Sequence, residues 1–210
     1  MRTQGSQNRA TPARRRAVVE AAITLFAERG LSAATMEDVA RAAGISRGSL
    51  YHHFASREEV FGAAFADSME QITAALDTSL VGLGTRFGVE RGVLQLARAY
   101  LAWHEREPAR GMIVRMAVHD ERLAPYVGEG MARQMTFIAD VIERFRPYRQ
   151  RSIVRCSDAV LVALIVGPLR DFVGSWYKLR AHRSAEEAER ALRDARRVLP
   201  RAICSSIARA

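Results

Sequence analysis

The stretch from Thr35 to Arg57, TMEDVARAAGISRGSLYHHFASR, constrains this chain more than any other, because its apolar residues fit two short helices folded across a tight turn. Val39, Ala40 and Ala43 share one face of a first short helix, Gly44 breaks it, and Ile45 and Leu50 continue the apolar face into a second. Helices that cross steeply over three or four residues need a small side chain at the contact and a turn residue that tolerates positive φ; Ala40 and Gly44 supply these. Thr35 is placed to cap the first helix with Asp38 as a weak capping box, Ser46 to cap the second, and Ser56 with Glu59 to open a third through a full box. An ordinary helical hairpin inside an all-α core would carry the same inner pattern, so the outer face has to decide.

That outer face holds Ser46, Arg47, Ser49, Tyr51, His52 and His53, which are donors and flat rings rather than the Glu and Lys of a merely solvated helix. Such groups suit phosphates and base edges. Gly48 costs ~1 kcal/mol relative to Ala inside a helix, which asks for a reason such as close approach of a DNA backbone, although simple tolerance would leave the same residue. Arg57 falls in the first turn of the third helix, where the dipole offers a cation nothing and a phosphate partner would explain it.

The segment LFAERGLSAATMEDVARAAGISRGSLYHHFASREEVF, Leu25 to Phe61, resembles the tetracycline-repressor (TetR) family of bacterial one-component regulators, most specifically in G-I-S-R-G-S-L-Y-H-H-F. The resemblance implies a phosphate contact for Thr35, groove-facing positions for Arg47, Gly48 and Ser49, and phosphate or edge contacts for Tyr51, His52 and His53. Members of the family usually carry Lys where this chain has Arg57, which keeps the charge but replaces a point donor by a planar fork. The resemblance further implies a homodimer through the last two helices. Two reading helices would then face one palindromic operator in duplex DNA, ~34 Å apart.

With 210 residues, 49% of them hydrophobic, the chain is long enough to bury a substantial core. A net charge of +9 fits a polyanionic partner, and Arg2, Arg9, Arg14, Arg15 and Arg16 form a basic amino end without an acid. Lys178 is the only lysine among 32 basic residues, so arginine number by itself says little. A disordered solubilising tail explains the residues before Pro12 as well as a DNA contact does. The amino end lacks an apolar signal-peptide core, and the longest apolar run, Ala159 to Leu169, is short for a membrane span, which points to a cytoplasmic protein without a membrane partner. Cys156 and Cys204 read as small buried thiols, with a redox pairing as the minor alternative.

Helical periodicity runs through the rest of the chain, with no alternating strand and no repeat, so the fold class is all-α. The expected divisions are a flexible basic arm over 1–11, a helix-turn-helix domain over 12–57 and a helical ligand-binding and dimerisation domain over 58–210. A first helix runs from Pro12 to Arg29, and one long helix from Arg57 to Leu80 links the domains as a lever. Further helices open at Pro108, close at Pro147, span Ser152 to Ala181 with a bend at Gly167 and Pro168, and start again at Ser184 with Glu187. The segment from His119 to Pro125 reads as a loop. The run AVLVALIVGPL is apolar around much of its helix, so a subunit interface would bury it.

Trp103, His104, Met112, Met116, Met135, Phe172 and Trp176 form a candidate small-molecule pocket, though each also suits a core. His104 and His119 lack metal-ligand partners at suitable spacing, and nothing calls for a metal or another cofactor. No Gly-rich phosphate loop or nucleophile elbow supports an enzyme. The reading is a DNA-binding regulator, most simply a repressor released by a small-molecule effector, with a non-specific architectural DNA binder as the alternative. Effector identity, operator and target genes do not follow from the sequence.

Overall fold

The computed structural model describes residues 12–81, 88–152 and 157–207, and it is all-helical across them. The helices are α1 (Pro12–Arg29), α2 (Met36–Ala42), α3 (Arg47–Tyr51), α4 (Arg57–Leu80), α5 (Gly88–Arg106), α6 (Pro108–His119), α7 (Ala124–Ser152), α8 (Asp158–His182) and α9 (Ala185–Ile207). A 3-10 turn, Glu121–Leu123, leads into α7 where the sequence suggested a loop.

The ends of the early helices are chemically marked, as their sequence implies. Asp38 N–H donates to Thr35 Oγ1 at 3.1 Å while Thr35 N–H donates back to Asp38 Oδ2 at 3.1 Å, closing a true capping box. Gly44 adopts φ +66°, the left-handed conformation that glycine reaches at little cost, and so turns the chain from α2 into α3. Ser46 Oγ then accepts the Ser49 N–H at 3.1 Å. Ser56 caps α4 in the same way, but Glu59 reaches back to the Ala55 N–H at 2.7 Å, one residue earlier than a standard box.

Three helices, α7, α8 and α9, run through prolines, the last at Pro200. α7 continues past Pro147 to Ser152, so Pro147 does not close it, and α8 contains Pro168 within an unbroken helical stretch. A proline removes one backbone donor, and the helix continues past it. The start expected at Ser152 is replaced by Asp158, capped by Ser157, whose Oγ accepts the Val160 N–H at 3.4 Å. Residues 153–156, including Cys156, and the arm over 1–11 lie outside the described residues.

Packing divides differently from the motif boundaries. One hydrophobic core joins Val18, Ile23 and Phe26 of α1 to Val39 and Leu50 of the hairpin and to Phe61, Phe65 and Met69 of α4. It continues into Trp103, Ile113, Leu123 and Val127, well beyond residue 57, so the hairpin stands on the same core as the segment that follows it. A second core unites α5, α8 and α9 around Leu101, Leu169, Trp176, Leu192 and Ile203. α4 crosses α7 closely because Gly62 has no side chain: a Cβ there would lie 2.5 Å from the Tyr126 carbonyl oxygen. By length and composition α8 over 159–182 is also apolar enough to cross a membrane. In the fold its Leu161, Leu169, Val173 and Trp176 are buried in the second core.

α1, α4 and α6 are tied together by one cation. Arg110 on α6, with its side chain 8% exposed, donates to Glu20 Oε1 of α1 at 2.6 Å and to Asp67 Oδ2 of α4 at 2.8 Å, with Glu107 at 3.4 Å. Desolvation raises the Asp67 pKa above its ordinary value even though Arg110 opposes the shift.

Candidate functional site

α3 is short, and its face away from the core is exposed. Leu50 is fully buried against Val39 and Phe54, while Arg47, Gly48 and Ser46 are exposed and Tyr51 keeps 43% of its surface. The Arg47 guanidinium lies over the Tyr51 ring at 5.5 Å, a stacked cation on an exposed aromatic. His52 is the C-cap of the helix and His53 follows in the turn, half-buried beside Phe54 at 6.3 Å between rings. The expected set therefore splits: Ser46, Arg47, Gly48 and Ser49 occupy the leading end of α3, and Tyr51, His52 and His53 its trailing end. A second cation flanks the latter, since Arg15 of α1 sits 5.1 Å from the Phe54 ring.

A Cβ at Gly48 meets nothing within 4 Å, and its backbone needs no positive φ. The protein itself gives no reason for glycine there; only a partner arriving from outside would. Gly48→Ala is expected to leave the melting temperature unchanged or raise it by the equivalent of ~1 kcal/mol of helix propensity, while weakening binding to cognate DNA about tenfold. Paired thermal melts and DNA titrations check this, and an unweakened complex would mean that glycine is merely tolerated.

Thr35 and Arg57 are committed within the protein. Besides capping, the Thr35 hydroxyl donates to Asp38 Oδ2 at 2.6 Å. These bonds hold the half-buried Asp38 carboxyl below its usual range, the Thr35 hydroxyl contributing most. The Arg57 guanidinium donates to the Ala34 carbonyl at 3.1 Å, the Ser32 carbonyl at 3.2 Å and Glu58 Oε1 at 3.0 Å. These partners account for a cation in the first turn of α4 without a phosphate: Arg57 ties that helix to the loop that precedes α2. Arg57→Ala is thus expected to cost about 1–2 kcal/mol of stability, seen in urea unfolding, before any effect on DNA is considered.

The second candidate region is a cavity of about 450 Å³ framed by α4, α5, α6, α7 and α8. Of the seven residues proposed from sequence, His104 and Met135 line it. Trp103 lies in the first core and Trp176 in the second, where its indole N–H donates to the Ala188 carbonyl at 3.1 Å. Met112 and Phe172 pack on the second core, and Met116 lines a separate cleft with Leu31 and Lys178. Aromatic and Met side chains fill cores as readily as cavities, and only tertiary placement separates the two. Sequence reading missed Tyr100, Arg115, Gln134 and Arg170, all on the cavity wall. The available signal was the spacing Ala159, Val162, Ala163, Val166, Arg170, Val173, a stripe of small and apolar residues along α8 ending beside a cation.

Comparison with known proteins places this arrangement. The profile for "Bacterial regulatory proteins, tetR family" matches residues 18–64, from α1 through α3 into α4. The TetR-family match is to this amino-terminal region. Over 47 residues it is 60% identical to the HTH-type transcriptional repressor KstR2 of Mycobacterium tuberculosis, a match spanning 22% of this chain and 24% of that protein. It is 26% identical to the HTH-type transcriptional regulator UidR of Escherichia coli over 145 residues, 69% of this chain and 70% of the relative. In fold it is similar to the transcriptional regulator FadR from Bacillus subtilis in complex with stearoyl-CoA, with TM-score 0.74 at 12% identity, over 90% of this chain and 97% of the other. High identity to KstR2 is thus confined to 47 residues of this chain, which spans about a quarter of that relative in the match. The chain's remaining helices share architecture with the solved structures and little sequence.

Proposed function

We propose that this protein is a sequence-specific transcriptional repressor of the TetR family that binds a palindromic operator as a homodimer and is released by a small-molecule effector. The observation that carries this is α3: a capped helix held on the core by Leu50, presenting Arg47, Gly48, Ser49 and Tyr51 outward at a position matched by the family profile. Groove-reading helices use their leading residues for base edges and neighbouring groups for phosphates. Arg47, Gly48 and Ser49 take the first role. Tyr51, His52 and His53 flank the backbone, and Thr35 supports the hairpin as a cap adjoining it.

Dimerisation through α8 and α9 is supported by apolar side chains left in solvent by the single chain, among them Val160 and Val198 at 48% and 53% exposure. Release by an effector is supported by the cavity beside α4, the helix that runs directly from the hairpin. A ligand favouring one arrangement of α4 shifts the spacing of the two reading helices, and linkage makes DNA and ligand weaken each other by the same factor. A DNA partner places the protein in the cytoplasm.

A footprint on DNA flanking its own gene tests the proposal. Wild type should protect a palindrome in the presence of excess random DNA, and Tyr51→Ala should lose protection while sedimenting as the same dimer. Uniform protection abolished by competitor would instead indicate architectural binding.

A further inference from the structure

The 450 Å³ cavity falls within the ~300–1,000 Å³ range of small-molecule sites, and its walls carry charge of one sign. Phe65, Met69, Val114, Ile138 and Val166 make it apolar, and among the described residues Arg115 and Arg170 are its charged ones and no Asp or Glu lines it. Among the described residues Arg115 forms no ion pair, and its buried Nε has no hydrogen-bond partner. Arg170 has only the exposed Asp171, at 3.9 Å.

His104 supplies a further unmet group. It is 2% exposed, its Nδ1 lies 3.2 Å from the Tyr177 hydroxyl, and its buried Nε2 meets no partner. Burial holds the imidazole pKa down to about 3 and pushes the Tyr177 hydroxyl up, so both are neutral. The pairing with the fewest unmet groups has the Tyr177 O–H donating to Nδ1, which leaves the Nε2–H as one donor seeking an acceptor. Beyond Tyr100 and Gln134 lies a second, smaller space of about 100 Å³ that shares Ile138, Val162 and Val166 with the first. The rest of its lining, apart from Thr73, is aliphatic or phenyl. Cationic and donor groups thus line the larger cavity, and a smaller apolar space shares part of its wall.

We infer that the effector is an amphipathic anion, its carboxylate or phosphate met by Arg115, Arg170 and the His104 imidazole and its apolar body extending past Gln134 into the smaller space. This rests on the reading of the second half of the chain as effector-binding. Arginine forks suit both oxyanions, and replacing lost hydration by fixed donors in an apolar cavity favours the charged head over a neutral one.

The test uses the full-length protein without DNA, titrated with dodecanoate, dodecyl phosphate, dodecanol and dodecylamine at sub-micellar concentrations. Trp103, whose ring lies 4.9 Å from His104, reports binding by fluorescence. At least one of the two anions should bind ten or more times tighter than dodecanol, with dodecylamine weakest, and the two anions compared tell carboxylate from phosphate. Arg115→Gln should erase the preference while leaving dodecanol affinity unchanged; Arg170→Gln, at an exposed position, should reduce it and serves if Arg115→Gln fails to fold. Equal affinities, a tighter amine, a preference that survives in folded variants, or no binding of any probe would overturn the inference. Operator binding is scored separately: a specific DNA complex without anion preference sinks the ligand class alone, and anion binding without a DNA complex sinks the repressor.

Discussion

Arg110→Met lowers the free energy of unfolding by about 3 kcal/mol, an expectation that follows from where its charge sits. The guanidinium is nearly enclosed, yet it serves Glu20 from α1, Asp67 from α4 and Glu107 from its own helix. Removing one partner of a buried ion pair costs ~3–5 kcal/mol because the remaining charge is stranded, and here Glu20 and Glu107 are about half exposed and able to turn to water, which keeps the cost at the low end. Asp67 is the more enclosed carboxylate, and its pKa is already raised by desolvation. Without Arg110 it rises further. A carboxyl whose folded pKa lies above its unfolded value binds more protons folded, so acidification between the two values stabilises the fold. The deficit of the variant against wild type, measured by urea unfolding, should therefore shrink from pH 7 towards the carboxylate range. A deficit constant with pH would contradict the role given to Asp67.

Gly111→Ala should be about as damaging, at about 3 kcal/mol, the upper end of the usual cost of overpacking. Gly111 follows Arg110 on α6, and a Cβ built there would overlap both the Tyr177 hydroxyl and the His104 Nδ1. Both neighbours are buried, so neither is free to swing away. Tyr177→Phe in the Gly111→Ala background removes one of the two overlapping atoms and should recover part of the lost melting temperature. No recovery would show that the damage arises elsewhere. Arg110 and Gly111 thus set two adjacent residues of α6 to different tasks, one gripping α1 and α4, the other admitting the His104–Tyr177 pair at the cavity.

Features set by neighbours three or four residues apart were readable from sequence. Thr35 with Asp38, Gly44, Ser46 and the span of α4 depend on local capping, turn chemistry and periodicity, and they appear in the structure as expected. Arg57 was harder to place, because its partners Ser32 and Ala34 lie more than twenty positions away and a backbone carbonyl leaves no mark on the sequence. The Arg110 network was invisible for the same reason, its Glu20 partner being ninety positions distant. The cavity was the least legible. Trp103 and Trp176 have the composition of a pocket and the location of a core, whereas Arg115 and Arg170 look like ordinary surface arginines until α6 and α8 are brought to one cavity. Pro147 does not end α7 as its sequence suggests, because the loss of one backbone donor is compatible with a helix that runs on to Ser152.

The central claim is that α3 reads sequence, and a salt series of fluorescence-anisotropy titrations tests it most directly. The duplexes are the palindrome flanking the protein's own gene and a scrambled duplex of equal length. A preference of ~10³ or more for the palindrome at physiological salt, with two protomers per duplex, is the predicted result. Equal affinities that fall together and steeply with salt would contradict it.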